Sequence, residues 1–184
     1  MKNKNILIQG KNISLRLITI EDIPNYYKSG FEIVDKETQY YTGTKHVATE
    51  GQITAYVNRI VEDDSRYDFL IIDSKGQIIG ESVINEINPD TGCANFRIGI
   101  FKSENFGQGV GSEAIAMTIK FGFEEIKLHR IELEVFSFNE RAYRAYRRAG
   151  FVEEGRLREA ELIDGKYCDV IIMGILSKDY LKNK

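Results

Sequence analysis

Three glycines alternate at positions 107, 109 and 111, and a stretch rich in alanine and isoleucine at helical spacing follows them. Glycine lets the backbone turn sharply and brings its N–H groups close to a ligand. The start of a helix adds unpaired N–H donors and the positive end of the helix dipole. This glycine loop therefore predicts a cradle for an anion, most often phosphate or pyrophosphate. A tight strand-to-helix turn without a ligand would show the same pattern.

A second regular pattern begins at Asn139, the predicted N-cap of a helix that carries Ala142 and Tyr146 and stops at Gly150. Asn139, Ala142 and Tyr146 share one helical face because they lie three and four residues apart. A plain cap explains Asn139, and a tyrosine at this spacing ordinarily belongs to the core. The same helix carries four arginines, at positions 141, 144, 147 and 148. A solvated helix face would account for such a cluster.

Two strands must position these segments. Residues 93–101 form a predicted strand directly before the glycine loop, and a helix follows at about 109–125. Residues 129–136 alternate strictly between polar and apolar side chains, which indicates a half-buried strand. A strand–helix–strand connection should make the two strands parallel, with a right-handed crossover.

The remaining elements surround this centre. We predict a strand at 12–18, a helix that starts after Thr19 and runs to about Gly30, a helix from Thr49, and hairpins of 67–72 with 78–87 and of 151–163 with 166–176. Residues 31–47 have no clean period and predict a loop or short helices. Without repeats or linkers, this order predicts a single domain over residues 1–184. Its fold class is α/β, a mixed α+β sheet with an antiparallel meander.

The composition argues against several classes of function. The 25 basic and 28 acidic residues give a net charge of −3, which argues against a general nucleic-acid binder. No apolar run reaches membrane-spanning length, and the first ten residues lack a signal-peptide core, so we expect a cytoplasmic protein. Cys93 and Cys168 have no CxxC partner, and His46 and His129 lack metal-ligand spacing. We therefore expect no metal site.

Two segments together are more specific than either alone. They are Phe106-Gly-Gln-Gly-Val-Gly111 and Asn139-x-x-Ala142-x-x-x-Tyr146-x-x-x-Gly150-Phe151. The pair resembles the GNAT superfamily of N-acetyltransferases over nearly the whole chain. The opening residues 15–22 and the tail 154–169 are similar to the branch with ribosomal-protein N-terminal acetyltransferases and spermidine/spermine acetyltransferases. The family motif has Gln or Arg where this chain has Phe106, which removes a side-chain contact to phosphate and leaves the backbone cradle intact.

The resemblance implies direct transfer of an acetyl group from acetyl-CoA to a primary amine through a tetrahedral intermediate. Pyrophosphate would lie on the backbone of the glycine loop, and the pantetheine arm beside the strand before it. Tyr146 would point at the thioester sulfur and protonate the leaving thiolate, since reference pKa values are about 10 for a phenol and 8.5 for a thiol. The cofactor-binding residues implied are Ile98, Gly99, Ile100, Phe106, Gly107, Gln108, Gly109, Val110, Gly111, Ser112, Asn139, Arg141, Ala142 and Arg147.

The general base is left open by the sequence. Many relatives use a carboxylate on the strand before the glycine loop, and residues 93–101 contain none. Glu81 and Glu86 on the preceding strand, Glu134 across the wedge, and a water chain are the candidates. The acceptor is a small-molecule or peptide amine. On branch resemblance we favour a protein N-terminus, with a polyamine as the alternative, and a homodimer is left open.

Two other functions fit parts of the pattern. A glycine loop with Glu132 or Glu134 about twenty residues on has the outline of a dinucleotide-binding fingerprint, although Ser112 replaces its third glycine. A non-catalytic acyl-CoA sensor would keep the fold without the reaction. The presence of Tyr146 argues against a sensor, whereas the missing strand carboxylate leaves it open.

Overall fold

The structure, a computed structural model, describes residues 6–182. The strands in this part of the chain are β1 (Leu7–Gln9), β2 (Ile13–Leu17), β3 (Tyr67–Asp73), β4 (Ile78–Asn88), β5 (Cys93–Ile100), β6 (Arg130–Phe136), β7 (Val152–Ile163) and β8 (Lys166–Leu176). The helices are α1 (Ile23–Gly30), α2 (Lys36–Thr42), α3 (Glu50–Ile60), α4 (Val110–Glu124), α5 (Glu140–Arg148) and α6 (Ser177–Lys182).

All these strands form one sheet in the order β1-β2-β3-β4-β5-β6-β8-β7. Strands β5 and β6 are parallel, and the other neighbouring strands in the described residues are antiparallel. The parallel pairing ends after three residues, with Asn95 opposite Glu132. Beyond that point no strand of residues 6–182 pairs with β5 on its β6 side. The sheet therefore opens into a wedge between β5 and β6.

Helices cover both faces of the sheet. Phe69 and Ile71 belong to a large apolar cluster with α4 and α5, whereas Leu70 belongs to a smaller cluster with α1 and α3. Because successive strand residues point to opposite faces, the two clusters lie on opposite sides. This arrangement lets a ligand between β5 and β6 meet α5 from one side and α1 and α3 from the other.

The predicted mixed sheet, with its meander and central parallel pair, is confirmed, and the handedness of the crossover stays a prediction. Two elements were not predicted, β1 and α6, because each is too short to show a period. Residues 31–47 contain the short helix α2. The prediction about the first ten residues falls partly on 1–5, outside the described residues. Between residues 6 and 182, no helix is both long and apolar enough to span a membrane.

Candidate active site

The wedge between β5 and β6 opens into a cavity of about 760 Å³. The splayed end of β5, the glycine loop, α2 and α5 surround it. The cavity gathers most of the site residues predicted from the sequence: Ile98, Gly99, Ile100, Phe106, Gly107, Gly109, Gly111, Ser112, Asn139, Arg141, Ala142 and Tyr146. Residues more than forty positions apart in the sequence thus share one site.

The glycine loop has the conformation of an anion cradle. Gly107 and Gly109 have φ angles of 74° and 83°, in the left-handed region that favours glycine. A Cβ added to either would meet no atom within 4 Å, and one added to Gly111 would meet only Ile100, at 4.0 Å. Gly109 caps α4, whose first N–H groups have no carbonyl partner within the helix. Open space beside free N–H donors fits a pyrophosphate.

Arg141 brings a positive charge to this loop. Its guanidinium carbon lies 3.7 Å from the ring centroid of Phe106 and 4.6 Å from that of Tyr41. A guanidinium over an aromatic face is stabilised by the ring quadrupole. Glu37 is the counter-ion, at 3.7 Å. Arg141 is therefore held beside the glycine loop, where its guanidinium would contact a phosphate bound there.

Three residues predicted to bind the cofactor do not line the cavity. Arg147 is exposed, and its guanidinium donates to the carbonyl of Phe151 at 3.4 Å, on another side of α5. Arg148 lines the cavity instead, because a residue seven positions after Arg141 returns to the same helical face. The side chain of Gln108 donates to the Glu104 carbonyl at 2.6 Å. Val110 packs against the large apolar cluster.

Tyr146 is a buried phenol at the cavity wall. Its side chain is 6% exposed, and its ring packs edge-on against Phe96 and Phe151, with centroids 6.3 and 5.8 Å away. Burial raises the pKa of Tyr146 well above the ordinary value for a phenol. Its hydroxyl makes no hydrogen bond to any other residue of 6–182. A neutral hydroxyl is thus available to a ligand, as a proton donor must be.

Asn139 has two structural roles. Its Oδ1 accepts a hydrogen bond from the Ala142 amide at 3.2 Å, which confirms the predicted N-cap of α5. Its Nδ2 donates to the Tyr41 carbonyl at 3.3 Å. Asn139 therefore ties the start of α5 to the end of α2 while lining the cavity.

Helix α2 lies along the cavity, in the segment 31–47 for which the sequence predicted a loop or short helices without locating the helix. Thr38 donates its hydroxyl to the Ile100 carbonyl at 3.2 Å. Asp35 caps α2, accepting from the Thr38 amide and the Ser103 hydroxyl, each at 2.8 Å. Burial opposes ionisation, but these hydrogen bonds outweigh it and lower the pKa of Asp35 to about 2. Asp35 before the helix and Gly43 after it were signals that could have found α2.

The three carboxylates proposed as bases differ in their surroundings. Glu81 lines the cavity, but Tyr26 donates to one of its oxygens and Arg97 to the other. Glu86 is exposed beside a β-bulge and does not line the cavity. Glu134 lines the cavity and has no hydrogen bond or ion pair with the rest of residues 6–182. Glu134 is therefore a cavity carboxylate free to receive a ligand.

Arg97 is a site residue that the sequence analysis did not find. It lines the cavity and belongs to a polar cluster with Glu81, Asp68, Tyr56 and Tyr26. Burial raises the pKa of Tyr56 to about 12. These contacts join α1, α3, β3, β4 and β5, so no local pattern could reveal them. In the described part of the chain, no group of three His, Cys, Asp or Glu side chains could hold a metal ion.

Comparisons with known proteins agree with this geometry. The acetyltransferase (GNAT) domain family matches residues 12–152. The chain is 36% identical to spermidine N(1)-acetyltransferase of Vibrio cholerae over 67% of its own length and 71% of that protein's. It is also similar to the crystal structure of spermidine N-acetyltransferase from Vibrio cholerae in complex with CoA and spermine. The TM-score is 0.83, with 28% identity, covering 94% of this chain and 99% of that one.

A third relative represents the other branch. The chain is 29% identical to a Bacillus subtilis protein named as a candidate ribosomal N-acetyltransferase. This match covers 45% of this chain and 46% of that protein.

The chain therefore belongs to the GNAT family of acetyltransferases. It is an N-acetyltransferase whose acetyl donor is acetyl-CoA, and the glycine cradle and the free hydroxyl of Tyr146 fit that co-substrate. The dinucleotide-binding interpretation of the glycine loop is wrong, because the family match includes the loop and both flanking strands.

Proposed function

We propose that this protein acetylates a primary amine of a polyamine such as spermidine or spermine. The observation that carries the proposal is the similarity, over nearly the whole chain, to an enzyme whose structure holds CoA and spermine. Glu134 supports it, because a cavity carboxylate without a partner suits an ammonium group. The sequence analysis favoured a protein N-terminus; the comparisons favour its alternative.

Different residues of the cavity bind acetyl-CoA and carry out the transfer. The glycine loop and Arg141 would hold the phosphates, and the edge of residues 98–100, which no strand covers, would pair with the pantetheine arm. When bound, acetyl-CoA supplies an activated acetyl thioester. Tyr146 donates a proton to the departing sulfur, a step for which its neutral phenol is suited.

The amine must lose a proton before it can attack. Glu134 is the carboxylate we assign to this step, directly or through a water molecule, because it lines the cavity and no cation neutralises it. Glu81 is a poorer base because both of its oxygens already accept hydrogen bonds. Glu86 lies outside the cavity.

A protein or peptide N-terminus is the second candidate acceptor. The guanidinium of Arg97 lines the cavity and is 40% exposed, so it has N–H donors for a peptide carbonyl. Polyamines have no carbonyl group and would leave those donors to water. The two acceptor classes therefore differ in what they require from Arg97.

A panel of acceptors separates these functions. Acetyl-CoA-dependent thiol release would be measured with spermidine, spermine, a singly charged alkylamine, short peptides and aminoglycosides. We expect kcat/KM for the polyamines to exceed that for the peptides by about 100-fold, a difference of about 2.7 kcal/mol. Turnover on peptides alone would replace the polyamine proposal with the N-terminal one. Silence across the panel, with acetyl-CoA still binding in a calorimeter, would favour the sensor.

A further inference from the structure

Three charged residues from three neighbouring strands line one part of the cavity, which we call the acceptor end. Glu81 is on β4, Arg97 on β5 and Glu134 on β6, and all three line the cavity. Arg97 and Glu134 each lie two residues beyond the last paired residues of the wedge, Asn95 and Glu132. Because strand side chains alternate with a period of two, Arg97 and Glu134 are on the same face of the sheet.

Arg97 nevertheless points away from Glu134. Its guanidinium donates to Glu81 on β4 and to the Tyr56 hydroxyl on α3 at 2.7 Å, and it lies 3.7 Å from Asp68 on β3. All of these partners are on the β3–β4 side of β5. Tyr26 and Arg66 hold the partners in turn, through hydrogen bonds to Glu81 and Asp68. The result is one neutralised carboxylate in the cavity, Glu81, and one that is not, Glu134.

We propose that Glu81 and Tyr56 are positioning residues that hold Arg97 away from Glu134 and so keep the acceptor end anionic. The inference rests on the proposed function, since it concerns the cavity that receives a cationic amine. Arg97 is then a specificity-determining residue: turned toward β3 it leaves Glu134 to the substrate, and turned toward β6 it would neutralise Glu134 and repel the amine. Glu81 acts through Arg97 rather than by touching the amine.

This arrangement makes a prediction that a direct role for Glu81 does not. Glu81→Gln should raise the KM for spermidine about tenfold and also lower kcat, because Arg97 would neutralise the assigned base Glu134, and it should leave the affinity for acetyl-CoA unchanged. In the double variant, with both Glu81→Gln and Arg97→Gln, the KM for spermidine should return to within about twofold of the KM of the Arg97→Gln single variant. A singly charged alkylamine should respond less than spermidine. No restoration in the double variant would overturn the proposal and make Glu81 the group that meets the amine.

Tyr56→Phe provides a second test of the same proposal, without a change of charge. It removes the hydroxyl that accepts from Arg97 and leaves the aromatic ring in place. We expect a smaller rise in KM for spermidine, again reversed by Arg97→Gln. The matched control is Glu132→Gln, which removes the same charge from an exposed residue of β6 that pairs with Arg130 and does not line the cavity. An equal rise in KM in this control would contradict the proposal.

A crystal structure of the Glu81→Gln variant tests the geometry without any acceptor. We expect the Arg97 guanidinium to lie within hydrogen-bonding distance of Glu134 in this variant. If the guanidinium kept its contacts with Tyr56 and Asp68 instead, the proposal would be overturned. This readout separates the two proposals. The acceptor panel decides whether the substrate is a polyamine, whereas the variant structure decides what holds Arg97.

Discussion

The guanidinium of Arg141 lies over the face of Phe106, with its central carbon 3.7 Å from the ring centroid. The family motif has Gln or Arg at the position of Phe106, so this chain has lost a polar side chain from its cofactor loop. The aromatic ring instead supports a cation that comes from α5. A positive charge is thus placed beside the proposed phosphate cradle by a different element, held by a cation–π contact.

Arg141→Gln should therefore weaken acetyl-CoA binding. A hydrogen bond to a charged group contributes about 1.5–3 kcal/mol, so we expect Kd to rise about 10- to 150-fold in titration calorimetry. Arg144→Gln is the control, because Arg144 is on the same helix, exposed and paired with Glu140. Equal losses in both variants would mean that only the net charge of the helix matters.

Gly109→Ala tests the cradle against a matched glycine. Gly109 and Gly76 have φ angles of 83° and 79°, and an added Cβ meets no atom within 4 Å at either position. Alanine should cost each site about 1–2 kcal/mol of stability, because of the left-handed backbone. Only Gly109→Ala should weaken acetyl-CoA binding, since Gly76 is in the turn between β3 and β4. If Gly109→Ala bound acetyl-CoA with unchanged affinity, the proposal that this loop binds the phosphates would be wrong.

Tyr146→Phe should slow the chemical step and spare binding. Loss of a general acid costs about 10²- to 10⁴-fold in rate, and phenylalanine keeps the packing against Phe96. We expect the lower kcat with Kd for acetyl-CoA unchanged in calorimetry. Tyr143→Phe, which loses only a bond to Glu153, is the control. A matching loss of affinity would make Tyr146 a structural residue.

The pH dependence of kcat should reflect the burial of Tyr146. The active form is the neutral phenol, and burial raises its pKa, so the proton donor persists as pH rises through 10. We therefore expect no fall in kcat from this group between pH 7 and about 10. A fall centred near pH 9 that disappears in Tyr146→Phe would contradict the raised pKa.

Asp35→Ala should loosen α2. Losing an N-cap costs about 0.5–2 kcal/mol, so amide exchange in α2 should speed up about 2- to 30-fold at pH 7. The pKa of Asp35 in the folded protein, about 2, is below that of an unfolded aspartate. The stabilisation by this charge is thus present above about pH 4 and declines as pH falls through 2, so the difference in exchange between wild type and variant should shrink over that range. A difference of the same size at pH 7 and at pH 2 would exclude the Asp35 charge as its source.

Much of the site follows from local spacing. Gly107 and Gly109 predict a left-handed loop, and Asn139 with Tyr146 predicts a capped helix that directs one face inward. These predictions succeed because backbone conformation and helical faces depend on near neighbours in the chain. The family resemblance rests on the same short-range patterns, so it too was visible in the sequence.

Side chains that meet across the sheet were decided only by the tertiary structure. The sequence could not separate Arg141 from Arg147, because the orientation of α5 determines which arginine faces the cavity. Nor could it show that Arg97 neutralises Glu81 and leaves Glu134 open, since these residues come from three strands. Electrostatic contacts depend on distance in space, and folding sets that distance between residues far apart in the chain.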